Sequence, residues 1–299
     1  MAGKGYSGIG KRYPVVEGIF YPGNKEELIS ILASWGLKEG SSCSSSGGQA
    51  IIAPHAAWNI SGSIAGAAFA SAQKRKAGIE VSDPMVNEPM VQTISRVILL
   101  GPCHGQVEEG IYLSESVSFQ TPLGDLSVDM RLNREMASCS TLISINDIPH
   151  LSEHCLEVLL PLVKYCFGRV RIVPILVSGE SPVLVTVLAG ALRLTLEKYM
   201  RESLIVISSN ISRNHDPALA LSKAEEFRSS LVDMDTRGFL DCLARGRFNA
   251  CGAVILGALL ESGLLNGKRF STLTPPFPST GEQGDTFYYG AFACDAFGG

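Results

Sequence analysis

Two apolar runs that each stop at a histidine constrain the fold of this chain more than any other feature. The first is residues 51–55 (IIAPH) and the second is residues 97–104 (VILLGPCH). A run of β-forming residues that stops at Pro or Gly-Pro is typical of a strand buried in a parallel sheet and followed by a loop. Such loops, beyond the carboxyl ends of the strands, are where open α/β sheets place ligands and catalytic groups. The sequence therefore predicts that His55 and His104 lie at one edge of a sheet, where two imidazoles can bind a metal ion.

Strands and helices alternate along the rest of the chain. We expect further strands over about residues 171–177, 204–209, 270–273 and 286–294, and helices over about 25–35 (capped by Asn24), 63–73, 126–139, 153–167 (kinked at Pro161), 182–200, 219–244 and 252–263. This alternation predicts one three-layer α/β/α domain, residues 1–299, around a mainly parallel or mixed central sheet. Residues 1–12 and the Ser/Gly-rich residues 40–48 are expected to be flexible, and residues 75–93 to form a surface excursion.

Charge and cysteine content exclude several classes of function. The net charge of −4 argues against nucleic acid as a partner, because phosphate binding needs a concentrated basic surface. No segment reaches the roughly 20 apolar residues of a membrane span, and the basic N-terminus lacks the apolar stretch of a secretory signal. The eight cysteines contain no CxxC pair and no tight framework spacing. They predict reduced thiols and a cytoplasmic location rather than disulfides or a structural zinc ribbon.

A third candidate metal ligand is Cys251, in residues 249–252 (NACG). The cysteine comes where a helix is expected to begin, and the positive end of a helix lowers the pKa of a thiol. The thiolate so favoured is also the form that binds metal. Simpler roles stay open: a small apolar residue at a helix start for Cys251, and a hydrogen-bonded loop residue for each histidine.

Two further groups of polar residues accompany these candidates. Residues 153–157 (EHCLE) place two carboxylates and an imidazole within about one helical turn, where they could orient ligands or move protons, or form a solvated helix start. Residues 208–210 (SSN) close the strand that precedes them and present short polar side chains to the same edge of the sheet. Arg213 and His215 follow in the next loop, where polar residues are more often structural than catalytic.

Taken together and in order, these motifs resemble the Memo family, also known as the AmmeMemoRadiSam system protein B family, which is related in fold to the LigB-type class III extradiol dioxygenases. The matching segments are residues 15–23 (VVEGIFYPG), 53–58 (APHAAW), 61–62 (SG), 100–104 (LGPCH), 121–125 (TPLGD), 153–157 (EHCLE), 160–161 (LP), 207–209 (ISS), 251–252 (CG) and 289–293 (YGAFA). They cover about residues 13–293, so the resemblance extends over almost the whole chain.

The resemblance implies a LigB/Memo-like fold with a cleft in which His55, His104 and Cys251 are potential metal ligands. The related dioxygenases bind ferrous iron through two histidines and a carboxylate, which leaves positions open for catechol and dioxygen. A thiolate in place of the carboxylate is a softer ligand. We therefore expect Fe(II), with copper or zinc as alternatives, or a cleft that has lost its metal.

The chain departs from the family pattern after Ser208 and Ser209. The family usually has an Asp there and a His three residues later, where this chain has Asn210 and Arg213. Asn lacks the charge of a general base, and Arg does not give up its proton. His215, two residues further on, could replace the missing histidine only if the loop is rearranged.

Two classes of function follow. The first is an iron-dependent, dioxygenase-type oxidoreductase acting on an unidentified small substrate, with His154, Glu157, Asn210 and Arg213 as the residues around the reacting centre. The second is a non-enzymatic binding or signalling module that holds a peptide, a phosphorylated ligand or a protein partner in the same cleft, which Asn210 and Arg213 favour because both bind anions. A zinc hydrolase is a third option, since His, His and Cys with an open position also suit catalytic zinc.

Overall fold

The computed structural model describes residues 10–40, 49–73, 94–233, 235–281 and 283–295. The expected flexibility of residues 1–9 and 41–48 and the expected surface excursion at 75–93 lie outside these described residues. Residues 11–12, which were expected to be flexible as well, instead form a short strand. Arg12 is buried there because its guanidinium pairs with the carboxylate of Glu157 and donates to the carbonyls of His150 and Glu153.

The elements follow one another in the alternating order that the sequence predicts. The strands are β1 (Lys11–Arg12), β2 (Gln49–Ala53), β3 (Arg96–Pro102), β4 (Gly110–Leu113), β5 (Ser118–Phe119), β6 (Leu126–Val128), β7 (Ile143–Ile145), β8 (Arg171–Ser178), β9 (Ser203–Ser208), β10 (Ser212–Asn214), β11 (Arg269–Thr272), β12 (Phe277–Thr280), β13 (Thr286–Tyr289) and β14 (Phe292–Asp295). The α-helices are α1 (Lys25–Ser34), α2 (Ser63–Gln73), α3 (Met130–Ala137), α4 (Ile148–Ser152), α5 (Leu160–Phe167), α6 (Pro182–Leu196), α7 (Pro217–Asp233), α8 (Thr236–Ala244) and α9 (Ala253–Glu261).

Most strands belong to one mixed sheet, in the order β1-β5-β6-β8-β3-β9-β2-β14-β11, with β4 paired to β8 and β7 to β4. Its central strands β6, β8, β3, β9 and β2 are parallel neighbours, and β14 joins β2 in the antiparallel sense. A small antiparallel sheet, β10-β13-β12, lies beside it. The predicted mainly parallel or mixed sheet is therefore confirmed.

Side chains alternate between two apolar cores, one on each face of this sheet. Along β3, Ile98 and Leu100 belong to the core that also contains residues of α6, α7, α8 and α9. Val97 and Leu99 belong to the core that contains residues of α1, α2 and α5. Because successive strand residues point to opposite faces, a strand that is apolar at every position must be covered on both sides. The three-layer α/β/α fold is thus confirmed.

Two predicted helices have different bounds for identifiable reasons. The helix expected over residues 219–244 is divided into α7 and α8, because Asp235 accepts a hydrogen bond from the backbone of Gly238 and so caps a new helix. The helix expected over 153–167 begins only at Leu160. Pro161 lies in its first turn, where the missing N–H costs nothing, instead of kinking a longer helix.

Two predictions from composition can be compared with the described residues. None of the helices within them is long and apolar enough to cross a bilayer. No disulfide joins any two of the seven cysteines within them.

Candidate metal centre

The two histidines reach the same edge of the sheet from strands that flank β9. His55 follows the last residue of β2 by two positions, and His104 follows the last residue of β3 by two. β2 and β3 both pair in parallel with β9, so their carboxyl ends meet around Ser208, the last residue of β9. The predicted placement of both histidines at one sheet edge is therefore confirmed.

Cys251 enters this edge from the loop before α9. Asn210 donates its backbone N–H to the Cys251 Sγ at 3.0 Å, and Gly252 donates its backbone N–H to the Ser209 Oγ at 2.9 Å. A Cβ atom at Gly252 would lie 2.7 Å from the Cβ of Ser209. Glycine is thus required for the close approach that brings α9 and its preceding cysteine to the end of β9.

The three candidate ligands converge. One ligand atom from each of His55, His104 and Cys251 lies within 4.8 Å of the others, and the Cys251 Sγ is 3.6 Å from the His55 Nε2. Metal–nitrogen bonds of about 2.0–2.1 Å and a metal–sulfur bond of about 2.3 Å separate sulfur and nitrogen by about 3.5 Å in a tetrahedral site. The arrangement is therefore of the size that a metal ion needs.

Ser208 fixes the proton position on His55. The Ser208 hydroxyl donates to the carbonyl of Cys155 at 2.7 Å and lies 2.8 Å from the His55 Nδ1. A hydroxyl has a single proton to donate, so Ser208 accepts at this second contact and His55 Nδ1 carries the hydrogen. The Nε2 of His55 therefore faces Cys251 and is the nitrogen left for a metal ion to bind.

Glu153 has the same effect on His104. Its carboxylate lies 3.0 Å from the His104 Nδ1 and accepts the backbone N–H groups of His104, His154 and Cys155. Burial raises the pKa of Glu153, but these hydrogen bonds and the charge of His104 outweigh it and lower the pKa to about 2. Metal-binding histidines usually donate one ring N–H to a carboxylate in this way, because the bond fixes the ring and leaves the other nitrogen, here Nε2, for the metal.

Cys251 is held as a thiolate. Burial raises its pKa, but the charge of His55 and hydrogen bonds from His104, His55 and the Asn210 N–H outweigh burial and lower the pKa to about 5. For His104, burial lowers the pKa, while Cys251 and Glu153 raise it to about 10. In the metal-free protein, a thiolate therefore faces an imidazolium at neutral pH, and the sulfur is already in the form that binds metal.

His154 is the third imidazole of the centre. Its ring stacks on that of His104 with centroids 5.3 Å apart and lies 5.8 Å from that of His55, while Phe20 covers it edge-on at 5.1 Å. Burial and the charge of His55 lower the pKa of His154 to about 4, so it is neutral at pH 7. His154 also forms a second group of potential ligands with His104 and Glu153. The Glu153 carboxylate in that group is already engaged by three N–H donors.

The structure separates Glu157 from this centre. Its carboxylate accepts the backbone N–H groups of Val15 and Val16 and the Tyr21 hydroxyl, and it pairs with Arg12. These contacts occupy both oxygens of a fully buried carboxylate. The sequence predicted a role for Glu157 near the candidate ligands, but its contacts fix the N-terminal segment instead. Glu153 is the carboxylate that orients a candidate ligand, His104.

Of the two residues that depart from the family pattern, one lies at the centre. Asn210 contacts Cys251 through its backbone, and its side-chain oxygen is 3.5 Å from the His55 backbone nitrogen. Arg213 instead pairs with Asp285, which also lies 2.6 Å from the His215 Nδ1. Asp285 thus engages both side chains, and neither Arg213 nor His215 joins the described group of potential ligands.

Sequence reasoning placed Ser208 and Glu153 in polar segments near the candidate ligands, but it did not say which residue of each segment orients an imidazole. Ser208 stands at the predicted end of a strand beside His55, which is the signal that could have identified it. Glu153 begins the EHCLE segment, in which the choice between the two carboxylates depends on contacts with β1 and β3 that only the fold supplies.

Comparisons with known proteins cover most of the chain. A family model described as Memo-like protein matches residues 12–275. MEMO1 family protein TV1383 of Thermoplasma volcanium is 27% identical over 264 residues, 88% of this chain and 89% of that protein. A MEMO1 family protein of Nitrosopumilus maritimus is 28% identical over 272 residues, 88% of this chain and 92% of that protein. A crystal structure of uncharacterized protein JW3007 from Escherichia coli K12 aligns with 82% of this chain and 99% of its own, at 10% identity and a TM-score of 0.46, which is too weak a likeness to support an argument.

Proposed function

The chain belongs to the Memo family, and from that premise we propose that it is a metal-dependent oxidoreductase whose ion is held by His55, His104 and Cys251. One observation carries the proposal: three donor atoms converge while the Nδ1 of each histidine is bound elsewhere, by Ser208 and by Glu153. A site built this way leaves the Nε2 atoms to face the thiolate, where a metal ion binds in place of a proton.

The donor set suits a catalytic metal. Two imidazoles and one thiolate supply three protein ligands, so a four- to six-coordinate ion keeps open positions for other molecules. We propose Fe(II), with copper or zinc as alternatives, because a thiolate combined with imidazoles suits all three. When bound, iron supplies the one-electron chemistry that reactions of dioxygen need.

The surrounding residues of this chain have separable tasks in the proposal. His154 is neutral at pH 7 and can accept a hydrogen bond from a substrate hydroxyl near the centre, since its ring lies beside both candidate histidine ligands. Phe20 lies against the His154 ring and limits the access of water to that side. The Asn210 side-chain amide can orient a ligand through hydrogen bonds. Arg213, which pairs with Asp285, takes no part in proton transfer.

The alternative prediction is that the cleft binds a peptide, a phosphorylated ligand or a protein partner without turnover. Its support came from Asn210 and from the positive charge that Arg213 would add to the cleft. That charge is compensated by Asp285, and the guanidinium also packs over the Phe287 ring at 5.2 Å. The contacts of Arg213 therefore favour the oxidoreductase proposal over this one.

Oxygen uptake tests the proposed reaction. Protein loaded anaerobically with Fe(II) is mixed with air-saturated buffer and a panel of catechols and other small dihydroxy compounds. We expect uptake that requires both protein and substrate, is abolished in His55→Ala, and is unchanged in Cys139→Ala, which alters an exposed cysteine outside the centre. Absence of uptake from protein with a full complement of iron would contradict the oxidoreductase proposal.

A further inference from the structure

A cavity of about 260 Å³ opens against two of the three proposed ligands, His104 and Cys251. Apolar side chains from β8, α8 and α9 and the neighbouring loops line part of it, among them Val177, Leu243, Phe248, Ala250, Val254 and Ile255, while polar atoms make up the larger share of its exposed surface. Small ligands bind in concave sites that combine apolar side chains with a few polar groups. By its volume, this cavity accepts a molecule of about ten non-hydrogen atoms.

The polar side of the cavity is acidic. Glu180 lines it and is exposed, and among the described residues its carboxylate has no ion pair or hydrogen bond. A second carboxylate, that of Glu109, lies close to Gly179. A Cβ atom added at Gly179 would be only 2.6 Å from the Glu109 Oε2. No lysine or arginine of the described chain lines the cavity, and the nearby Arg247 pairs with Glu226.

With Glu180 in its wall, Glu109 close to Gly179 and no lysine or arginine of the described residues lining it, the cavity attracts cations and repels anions.

We propose that this cavity binds a small organic cation, with an apolar body against Phe248 and Val254 and a protonated amine at Glu180. That such a molecule is the substrate class of the metal centre rests on the function proposed above. The cavity itself does not depend on the metal, since its wall consists of side chains that the fold holds in place.

Three matched probes test the charge preference: phenethylamine, 2-phenylethanol and phenylacetate. They share one apolar body and differ in carrying a positive, a zero or a negative charge. The full-length protein is used without metal, because the carboxylate of phenylacetate could otherwise coordinate the ion. Dissociation constants are measured by protein-observed NMR titration at low salt. We expect phenethylamine to bind about three- to fivefold more tightly than 2-phenylethanol, as for a partly exposed ion pair, and phenylacetate to bind most weakly.

Variants locate the interaction. Glu180→Gln is expected to remove the preference for the amine and leave 2-phenylethanol binding unchanged. Glu39 is an exposed glutamate that does not line the cavity, so Glu39→Gln is expected to change neither the preference for the amine nor the binding of 2-phenylethanol. Val254→Phe fills the cavity and should abolish binding of all three probes, with circular dichroism confirming that the variant folds. If that variant does not fold, the order of the three probes and the effect of Glu180→Gln still decide the result.

The inference is overturned if phenylacetate binds as tightly as phenethylamine, if Glu180→Gln leaves the preference unchanged, or if no probe binds at millimolar concentration. Its failure is distinguishable from failure of the metal proposal. His55 is a proposed metal ligand that does not line the cavity, so His55→Ala should lose metal and keep phenethylamine binding.

Discussion

At the scale of single residues, the candidate centre depends on where protons reside. Ser208 and Glu153 each hold the Nδ1 side of an imidazole, and the Cys251 thiol has lost its proton to the electrostatic field of its neighbours. A metal ion binds to lone pairs, so these proton positions decide affinity as much as the distances between ligands do.

The ionisation of Cys251 is testable by alkylation of the metal-free protein. Because its pKa is lowered to about 5, we expect iodoacetamide labelling of Cys251 to persist from pH 9 down to about pH 5. Burial and the charge of Glu135 raise the pKa of the exposed Cys139, which serves as the internal control and should lose reactivity below pH 9. Mass spectrometry of labelled peptides measures both rates. Labelling of Cys251 that follows the same alkaline profile as Cys139 would contradict the thiolate assignment.

Glu153 gives a prediction for stability. Its folded pKa of about 2 lies below its ordinary value of 4.5, so the ionised carboxylate stabilises the fold above pH 4.5. That contribution is lost as the pH falls from 4.5 toward 2. We expect Glu153→Gln to lower the free energy of unfolding by about 1–3 kcal/mol at pH 7. The difference in unfolding free energy between Glu153→Gln and the unmodified protein should be smaller at pH 3. Urea unfolding at pH 7 and pH 3 measures this difference. An equal difference at both pH values would refute the stabilising role of the ionised Glu153 carboxylate.

Sequence reasoning at this scale predicted the three residues that converge, but not the residues that orient them. His55, His104 and Cys251 could be predicted because strand ends and helix starts are visible as local patterns. The roles of Ser208 and Glu153 could not, since they depend on β9 lying between β2 and β3 and on the segment after α4 reaching back to β3. Such contacts join residues far apart in the chain and leave no local pattern.

At the scale of elements, α9 positions the thiolate through its close approach to β9. A methyl group at Gly252 would meet the Ser209 Cβ at 2.7 Å, so Gly252→Ala must displace the start of α9 and Cys251 with it. We expect metal affinity to fall at least about tenfold, as when support of a ligand is disturbed. Gly190→Ala in α6 is the matched control, since no atom lies within 4 Å of the added carbon. Competition titration with a chelating dye measures the metal affinity of both variants. Unchanged affinity in Gly252→Ala would show that the approach does not position Cys251.

The buried pair of Arg12 and Glu157 joins β1 to the turn before α5. Glu157→Gln leaves Arg12 with an uncompensated buried charge, which costs about 3–5 kcal/mol of unfolding free energy. We expect metal affinity per folded molecule to stay within about twofold, because Glu157 contacts none of the three ligands. Urea unfolding and metal titration measure the two effects.

The double variant Arg12→Met with Glu157→Met is the control for this pair. Replacing both charges by apolar side chains removes the unpaired charge, so it should destabilise less than Glu157→Gln alone. Retained stability together with lost metal affinity in Glu157→Gln would instead place Glu157 at the centre.

At the scale of the whole molecule, the alternation of strands and helices was enough to predict a three-layer domain with its ligand site beyond the strand ends. The short strands β1, β4, β5, β6, β7, β10 and β12 were not predicted, because runs of two to four residues are too short to show a period of two. β6 lies at the start of the helix expected over residues 126–139. These short strands extend the central sheet at its margin or form the small second sheet. The centre lies elsewhere, at the carboxyl ends of β2, β3 and β9, and this is why the site could be predicted from sequence better than the outer parts of the sheet.

The central claim, that the fold brings His55, His104 and Cys251 together as one metal site, is tested most directly by anaerobic titration with Co(II). Cobalt binds the same nitrogen and sulfur ligands as the other late first-row ions, and a cobalt–thiolate bond gives a near-ultraviolet charge-transfer band. We predict that the band of the unmodified protein saturates at one equivalent of cobalt and that it disappears in Cys251→Ser. In His55→Ala the band should need at least about tenfold more cobalt, and in Cys139→Ser it should be unchanged. Absence of the band from the unmodified protein, or its persistence in Cys251→Ser, would contradict the claim.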